Sequence, residues 1–125
     1  MLARLDHLVL TVASIERSVA FYSGILGLRE ECFGDNRVAL AGPGWKINLH
    51  QVDRTFEPKS QHPTPGSADL CFIADRPLAE VIEVLTEAAV PIELGPVPRT
   101  GALGPMTSIY LRDPDGNLIE ISEYQ

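Results

Sequence analysis

A chain of 125 residues, 45% hydrophobic and 22% charged, has the make-up of one compact globular domain spanning 1–125. Seventeen acidic against ten basic residues give a net charge of -7, which speaks against a nucleic-acid partner. No apolar run approaches the roughly 20 residues of a membrane span, and the polar start around Arg4 and Asp6 lacks the apolar core of a signal peptide, so a cytoplasmic protein with no membrane partner is expected.

Residues 5–12 alternate as a strand, with Leu8, Leu10 and Val12 on one face and Leu5, His7, Val9 and Thr11 on the other. Ser14 suits the N-cap of a helix over 15–26, in which Ile15, Val19, Tyr22 and Leu26 recur at helical spacing. Gly27 is its expected stop. Three short strands follow over 28–33, 38–41 and 45–52, parted by Gly34-Asp35-Asn36 and Gly42-Pro43-Gly44. Residues 53–66, with Pro58, Pro63 and Pro65, read as a polar connector in which His62 is solvated. A strand over 67–74 leads to a helix over 78–89, opened by Pro77 and striped by Leu78, Val81, Ile82, Leu85 and Ala89. A strand over 92–97 and a loop over 98–105 come next.

The chain closes on a hairpin. Strands over 108–111 and 118–122 flank Asp113-Pro114-Asp115-Gly116, where Pro114 presets φ, Gly116 tolerates positive φ, and the aspartates can accept from nearby amides. Glu120 stands mid-strand between Ile119 and Ile121 and faces away from both, as a solvated residue, a metal ligand or a general base.

The order of strand, helix and three strands occurs twice, so an internal repeat is expected. Module 1 spans about 1–53, a linker 54–66, and module 2 about 67–125. His7-Leu8-Val9-Leu10 overlays Asp69-Leu70-Cys71-Phe72, and Asn48-Leu49-His50 overlays Glu120-Ile121-Ser122. The expected fold is α+β: two βαβββ modules forming a curved eight-stranded cup with the helices outside. The faces left over by the helices carry His7, Asn48, His50, Asp69 and Glu120. Polar groups on an inner wall need partners or water, and a divalent ion is the simplest partner for an imidazole with carboxylates. Cys32 and Cys71 show no paired motif and are expected reduced and inert.

Three stretches carry a resemblance: Leu5-Asp6-His7-Leu8-Val9-Leu10-Thr11-Val12, then Phe21-Tyr22 with Leu26-Gly27-Leu28, then Asp113 to Ile121. Together they resemble the vicinal oxygen chelate superfamily, the group of glyoxalase I, bleomycin-resistance, fosfomycin-resistance and extradiol-dioxygenase proteins. Asn48-Leu49-His50, Phe56-Glu57-Pro58-Lys59 and residues 95–101 are most similar to small glyoxalase-domain-containing proteins.

The resemblance implies metal ligands at His7, Asn48, Asp69 and Glu120. Asn48 stands where a glutamate is usual and Asp69 where a histidine is common; His50, on the face of Asn48, would replace that ligand or touch substrate. Glu120 would also be the catalytic base. Arg99 would clamp a substrate carboxylate or phosphate, unless it is a solvated loop residue, and Tyr110 would line the cup, unless it is core. The implied cofactor is Mn²⁺, Fe²⁺, Ni²⁺, Co²⁺ or Zn²⁺, and a thiol would be the cosubstrate of a glyoxalase-type reaction. The implied reaction is a lactoylglutathione-lyase-like proton transfer on a small vicinal-oxygen substrate. An extradiol-type dioxygenase using His7, His50 and Glu120 is one alternative. A metal-free, drug-sequestering binding protein is the other, favoured by Asn48 and disfavoured by His7 with Glu120 and by a chain only 6% aromatic. A homodimer is expected.

Overall fold

The structure, a computed structural model, describes all of residues 1–125. The chain divides into two compact units, Met1–Gly66 and Ser67–Gln125. The first contains β1 (His7–Val12), α1 (Ile15–Tyr22), β2 (Arg29–Phe33), β3 (Arg37–Gly42) and β4 (Trp45–Gln51). The second contains β5 (Asp69–Ile73), α2 (Leu78–Glu87), β6 (Leu94–Gly101), β7 (Gly104–Arg112) and β8 (Leu118–Tyr124). The repeat is therefore two βαβββ modules, and the eight strands form two four-stranded sheets. Their orders are β1-β4-β3-β2 and β5-β8-β7-β6, with the first and last strand of each module paired in parallel and the rest antiparallel.

Alternation decides which face each sheet buries. In the first unit Leu10, Val12, Leu40, Ile47 and Leu49 turn to one face and are nearly inaccessible, as are Phe21 and Tyr22 of α1, which packs on β3 and β4. In the second, Ile109, Leu111, Ile119 and Ile121 are buried together with Leu78 and Leu85 of α2, which packs on β8. Each such side chain contributes about 1.5–3 kcal/mol on leaving water. The opposite faces are left to polar residues.

The expected ends of the elements shift where local chemistry intervenes. Ser14 caps α1, its Oγ accepting from Arg17 N at 3.2 Å. The helix closes at Tyr22 rather than near Leu26, because the next turn is wide: Gly24 N and Leu26 N donate five residues back, to Val19 O and Phe21 O. A Cβ at Gly24 would lie 2.4 Å from Ala20 O, so only glycine lets this turn form.

The loop expected over 98–105 is corrected. β6 runs on through Pro98 and Arg99 to Gly101, and β7 already begins at Gly104. Pro96 and Pro98 are admissible because β6 is an edge strand, bonded to β7 alone, and its register slips between Leu94 and Val97. The Asp113 turn forms as expected. Asp113 Oδ1 accepts from the amides of Asp115 and Asn117, both at 2.9 Å, and its Oδ2 accepts from Asn117 Nδ2 at 2.7 Å. Gly116 takes φ +87°. Asn117 in turn accepts at Oδ1 from Ala68 N at 2.8 Å, which fixes the start of β5 against β8.

Candidate functional site

In the second unit, strand register puts Asp69 and Cys71 of β5, Glu120 and Ser122 of β8, and Ser108 and Tyr110 of β7 on one face. Tyr110 and Glu120 are direct cross-strand partners, and so are Cys71 and Glu120. A hydrogen-bond chain results. Arg99 Nε donates to Tyr110 Oη at 2.8 Å, and Tyr110 Oη donates to Glu120 Oε1 at 2.6 Å. The Arg99 guanidinium also lies over the Tyr110 ring, 5.3 Å from its centroid. Beside this chain, Ser108 Oγ and Ser122 Oγ lie 2.7 Å apart, and Cys71 Sγ lies 3.4 Å from Ser122 Oγ.

These contacts set the ionisation of the group. Burial pushes the Glu120 carboxyl up, but hydrogen bonds from Tyr110, Cys71 and Ser108 and the charge of Arg99 together bring it below the ordinary value. Glu120 is thus an anion at neutral pH. Donation to that carboxylate raises Tyr110, which stays a proton donor. Desolvation, the main cause, pushes the Cys71 thiol up to about 11.

In the first unit the corresponding face carries His7, Val9 and Thr11 of β1, opposite Lys46, Asn48 and His50 of β4. Ala39 and Ala41 of β3 and Glu31 and Phe33 of β2 continue it. Asn48 and His50 are only 6% and 2% exposed. Arg37 Nη2 lies 3.3 Å from His50 Nε2. The Arg37 guanidinium stands 5.1 Å from the Phe33 ring centroid and 4.6 Å from that of Phe56, and Phe56 meets the His50 ring edge-on at 5.5 Å. Lys46 Nζ sits over Phe33 at 3.8 Å. Burial first, then the charges of Arg37 and Lys59, hold the His50 pKa down, so its imidazole is neutral at pH 7.

The sequence-derived residues are thus placed in separate groups. Glu120, Tyr110 and Arg99 are joined by hydrogen bonds. Asn48 and His50 share one buried patch. His7 lies further along that face, half exposed, with Nδ1 2.8 Å from Asp6 Oδ2. Asp69 is exposed at the start of β5. Arg37, Phe33 and Phe56 escaped sequence reading. Arg37 was detectable in principle, because an antiparallel β3–β4 pair puts it opposite His50. The segment read as a mere connector belongs to the first unit and brings Phe56 onto that patch.

The implied ion is tested by the same geometry. Nowhere do three or more His, Cys, Asp or Glu side chains come together to hold a metal. His7 and Asn48 share their face with the cations Arg37 and Lys46, which repel a further cation. Tyr110 already occupies one Glu120 oxygen. Within either unit, then, the residues as placed do not fit a metal centre.

The profile of the Glyoxalase/Bleomycin resistance protein/Dioxygenase superfamily matches residues 4–121, and the chain belongs to that family. It is 54% identical over 121 residues to the virulence protein STM3117 of Salmonella typhimurium, covering 97% of this chain and 84% of that one. The crystal structure of STM3117 superposes with a TM-score of 0.97 at 53% identity, over 100% of this chain and 99% of the other. The glyoxalase domain-containing protein RDO1 of Mycosarcoma maydis is 49% identical over 97% of this chain and 68% of its own length. The fold alone is shared with lactoylglutathione lyase from Agrobacterium tumefaciens (TM-score 0.75, 22% identity, 98% and 95% coverage). It is likewise shared with the antibiotic binding protein TnmS3 from Streptomyces (TM-score 0.77, 21% identity, 99% and 98% coverage).

Proposed function

We propose that the chain is a glyoxalase-like enzyme that moves a proton on a small oxygenated molecule, with Glu120 as the group that takes the proton up and returns it. The observation that carries this reading is the line Arg99–Tyr110–Glu120 on one sheet face. Tyr110 holds Oε1, which orients the carboxylate, and Oε2 is the oxygen that would take the substrate proton. The hydrogen bonds it accepts, that from Tyr110 foremost, keep the carboxylate ionised with the Arg99 charge adding to them, and the raised Tyr110 keeps its own proton. A C–H bond next to a carbonyl breaks; its electron pair passes into the enolate and its proton to Glu120. Return of that proton to the neighbouring carbon, while the hydroxyl proton on the first carbon passes to the enolate oxygen and a carbonyl forms where that hydroxyl stood, completes an isomerisation with no net redox change. Hemithioacetals of 2-oxoaldehydes have the acidic C–H this step requires.

The test is turnover of such hemithioacetals in deuterated water, read by NMR, with Glu120→Gln beside the wild type. Elemental analysis of protein made without an affinity tag shows in parallel whether a divalent ion accompanies the chain, as it often does in this superfamily. The same preparation tests the second reading, a small-molecule binding protein without turnover. What favours that reading is the buried patch of Asn48, His50 and Arg37, in which one polar atom of each side chain lacks a partner. Asp69, where a second histidine is common, counts against the dioxygenase alternative. We also propose a homodimer, supported by the exposed apolar side chains Leu5, Val9, Ile73, Leu94 and Leu103.

A further inference from the structure

Four buried side-chain polar atoms in the chain lack a hydrogen-bond partner: Ser18 Oγ, Arg37 Nε, Asn48 Oδ1 and His50 Nδ1. Three of the four belong to the one patch on the polar face of the first sheet. Native interiors seldom leave such groups unpaired, and each costs on the order of 1–3 kcal/mol when it stays so. Three together, with Arg37 and His50 in contact and Asn48 two residues from His50 on the same strand face, mark a place where a partner belongs.

The chemistry of that partner follows from the atoms. Arginine only donates, so the Arg37 Nη2 contact makes His50 Nε2 an acceptor. The neutral imidazole then carries its proton on Nδ1. The patch therefore offers two unused donors, Arg37 Nε–H and His50 Nδ1–H, and one unused acceptor, Asn48 Oδ1. Charge points the same way. Arg37 is half-buried between two phenyl rings and makes no ion pair, although the chain as a whole is acidic. Lys46 lies at the Phe33 ring and the charge of Lys59 acts on His50. The carboxylates in this neighbourhood are committed, Glu31 to Arg29 and Glu57 to Lys59.

We propose that Arg37, His50 and Asn48 form a binding site for a small hydroxycarboxylate. Its carboxylate accepts from Arg37 Nε and His50 Nδ1, and its hydroxyl donates to Asn48 Oδ1. A phosphate, which mainly accepts, leaves Asn48 facing an anionic oxygen. An amino acid satisfies Asn48 but brings an ammonium beside Arg37, Lys46 and Lys59. Phe33 and Phe56 supply the apolar walls. The site goes beyond the proton-transfer reading and does not depend on Glu120.

Calorimetric titration of the full chain at fixed ionic strength tests this, with L-lactate as the probe and propanoate, lactamide and inorganic phosphate as comparisons. Lactate is expected to saturate with a Kd of about 1 mM or below. Propanoate, which lacks the hydroxyl, lactamide, which lacks the charge, and phosphate should each bind at least about tenfold more weakly. Arg37→Gln should weaken lactate by about tenfold or more, whereas Arg29→Gln, on the same face but tied to Glu31, should leave it unchanged. Should Arg37→Gln fail to fold, Asn48→Asp keeps the size and puts a negative charge where the hydroxyl lies, and should abolish binding. Absence of saturable lactate binding, equal binding of lactamide, or unchanged lactate binding in Arg37→Gln or Asn48→Asp would show that the patch holds only water, and would overturn the proposal.

Discussion

His50 and Cys71 show how position on a sheet face sets the chemistry of one side chain. In the unfolded chain His50 takes a proton as pH falls through about 6.5; in the fold, burial and the nearby cations hold its pKa lower. Below pH 6.5 the unfolded state therefore binds more protons than the native one, and stability falls as pH falls from about 7 toward the folded pKa. Denaturant midpoints measured at pH 7.5 and 5.5 should differ less in His50→Gln than in wild type. Glu120, held below its ordinary value, loses its contribution only further down, so the two windows are separable. Cys71, with its thiol pushed up to about 11, is almost wholly protonated at pH 8. Iodoacetamide at pH 8 should label Cys71 at least about tenfold more slowly than a free thiol peptide, as read by peptide mass spectrometry. Equal rates would contradict the raised thiol pKa, since the residue itself is exposed.

At the scale of elements, alternation was the most legible signal. The strands that pair in parallel, β1 with β4 and β5 with β8, read correctly because every second residue is apolar and the helices need those faces. The Asp113 turn was legible because its residues each have one job: φ at Pro114 and Gly116, acceptors at Asp113. β6 was legible only as far as Val97, because Pro98 and the glycines beyond it look like a loop until the strand is known to be an edge. The end of α2 holds a second feature that sequence alone hides. Ala89 sits at φ +56°, in the left-handed region where a Cβ is unfavourable. Ala89→Gly should raise stability by about 0.5–1 kcal/mol, measured by denaturant unfolding; a loss would show that the side chain contributes more in contacts than its backbone costs.

At the scale of the whole molecule, the repeat supplies two sheets, each with one face given to its helix and one left polar. The repeat was legible in the order of elements. The contents of the polar faces were legible only where strand period alone places a residue, as for Asn48, His50, Tyr110 and Glu120. Arg37 needed the β3–β4 register, and Phe56 needed a fold-back of its segment that no periodicity encodes. Exposed Leu5, Val9, Ile73, Leu94 and Leu103 lead to an expectation about assembly. Sedimentation at micromolar concentration should show a species of twice the 13.6 kDa chain mass, and a purely monomeric profile would contradict the homodimer.

The central claim is that Glu120 carries a proton during turnover. Its most direct measurement is NMR of wild type and Glu120→Gln in deuterated water with the methylglyoxal–glutathione hemithioacetal and related 2-hydroxycarbonyl compounds, both proteins checked for native folding. The account predicts isomerised product in the wild type and a loss of about a hundredfold or more in Glu120→Gln, since an amide keeps the shape of the carboxylate but cannot take the proton. Equal rates in the two proteins, or no exchange and no product in the wild type, would contradict it.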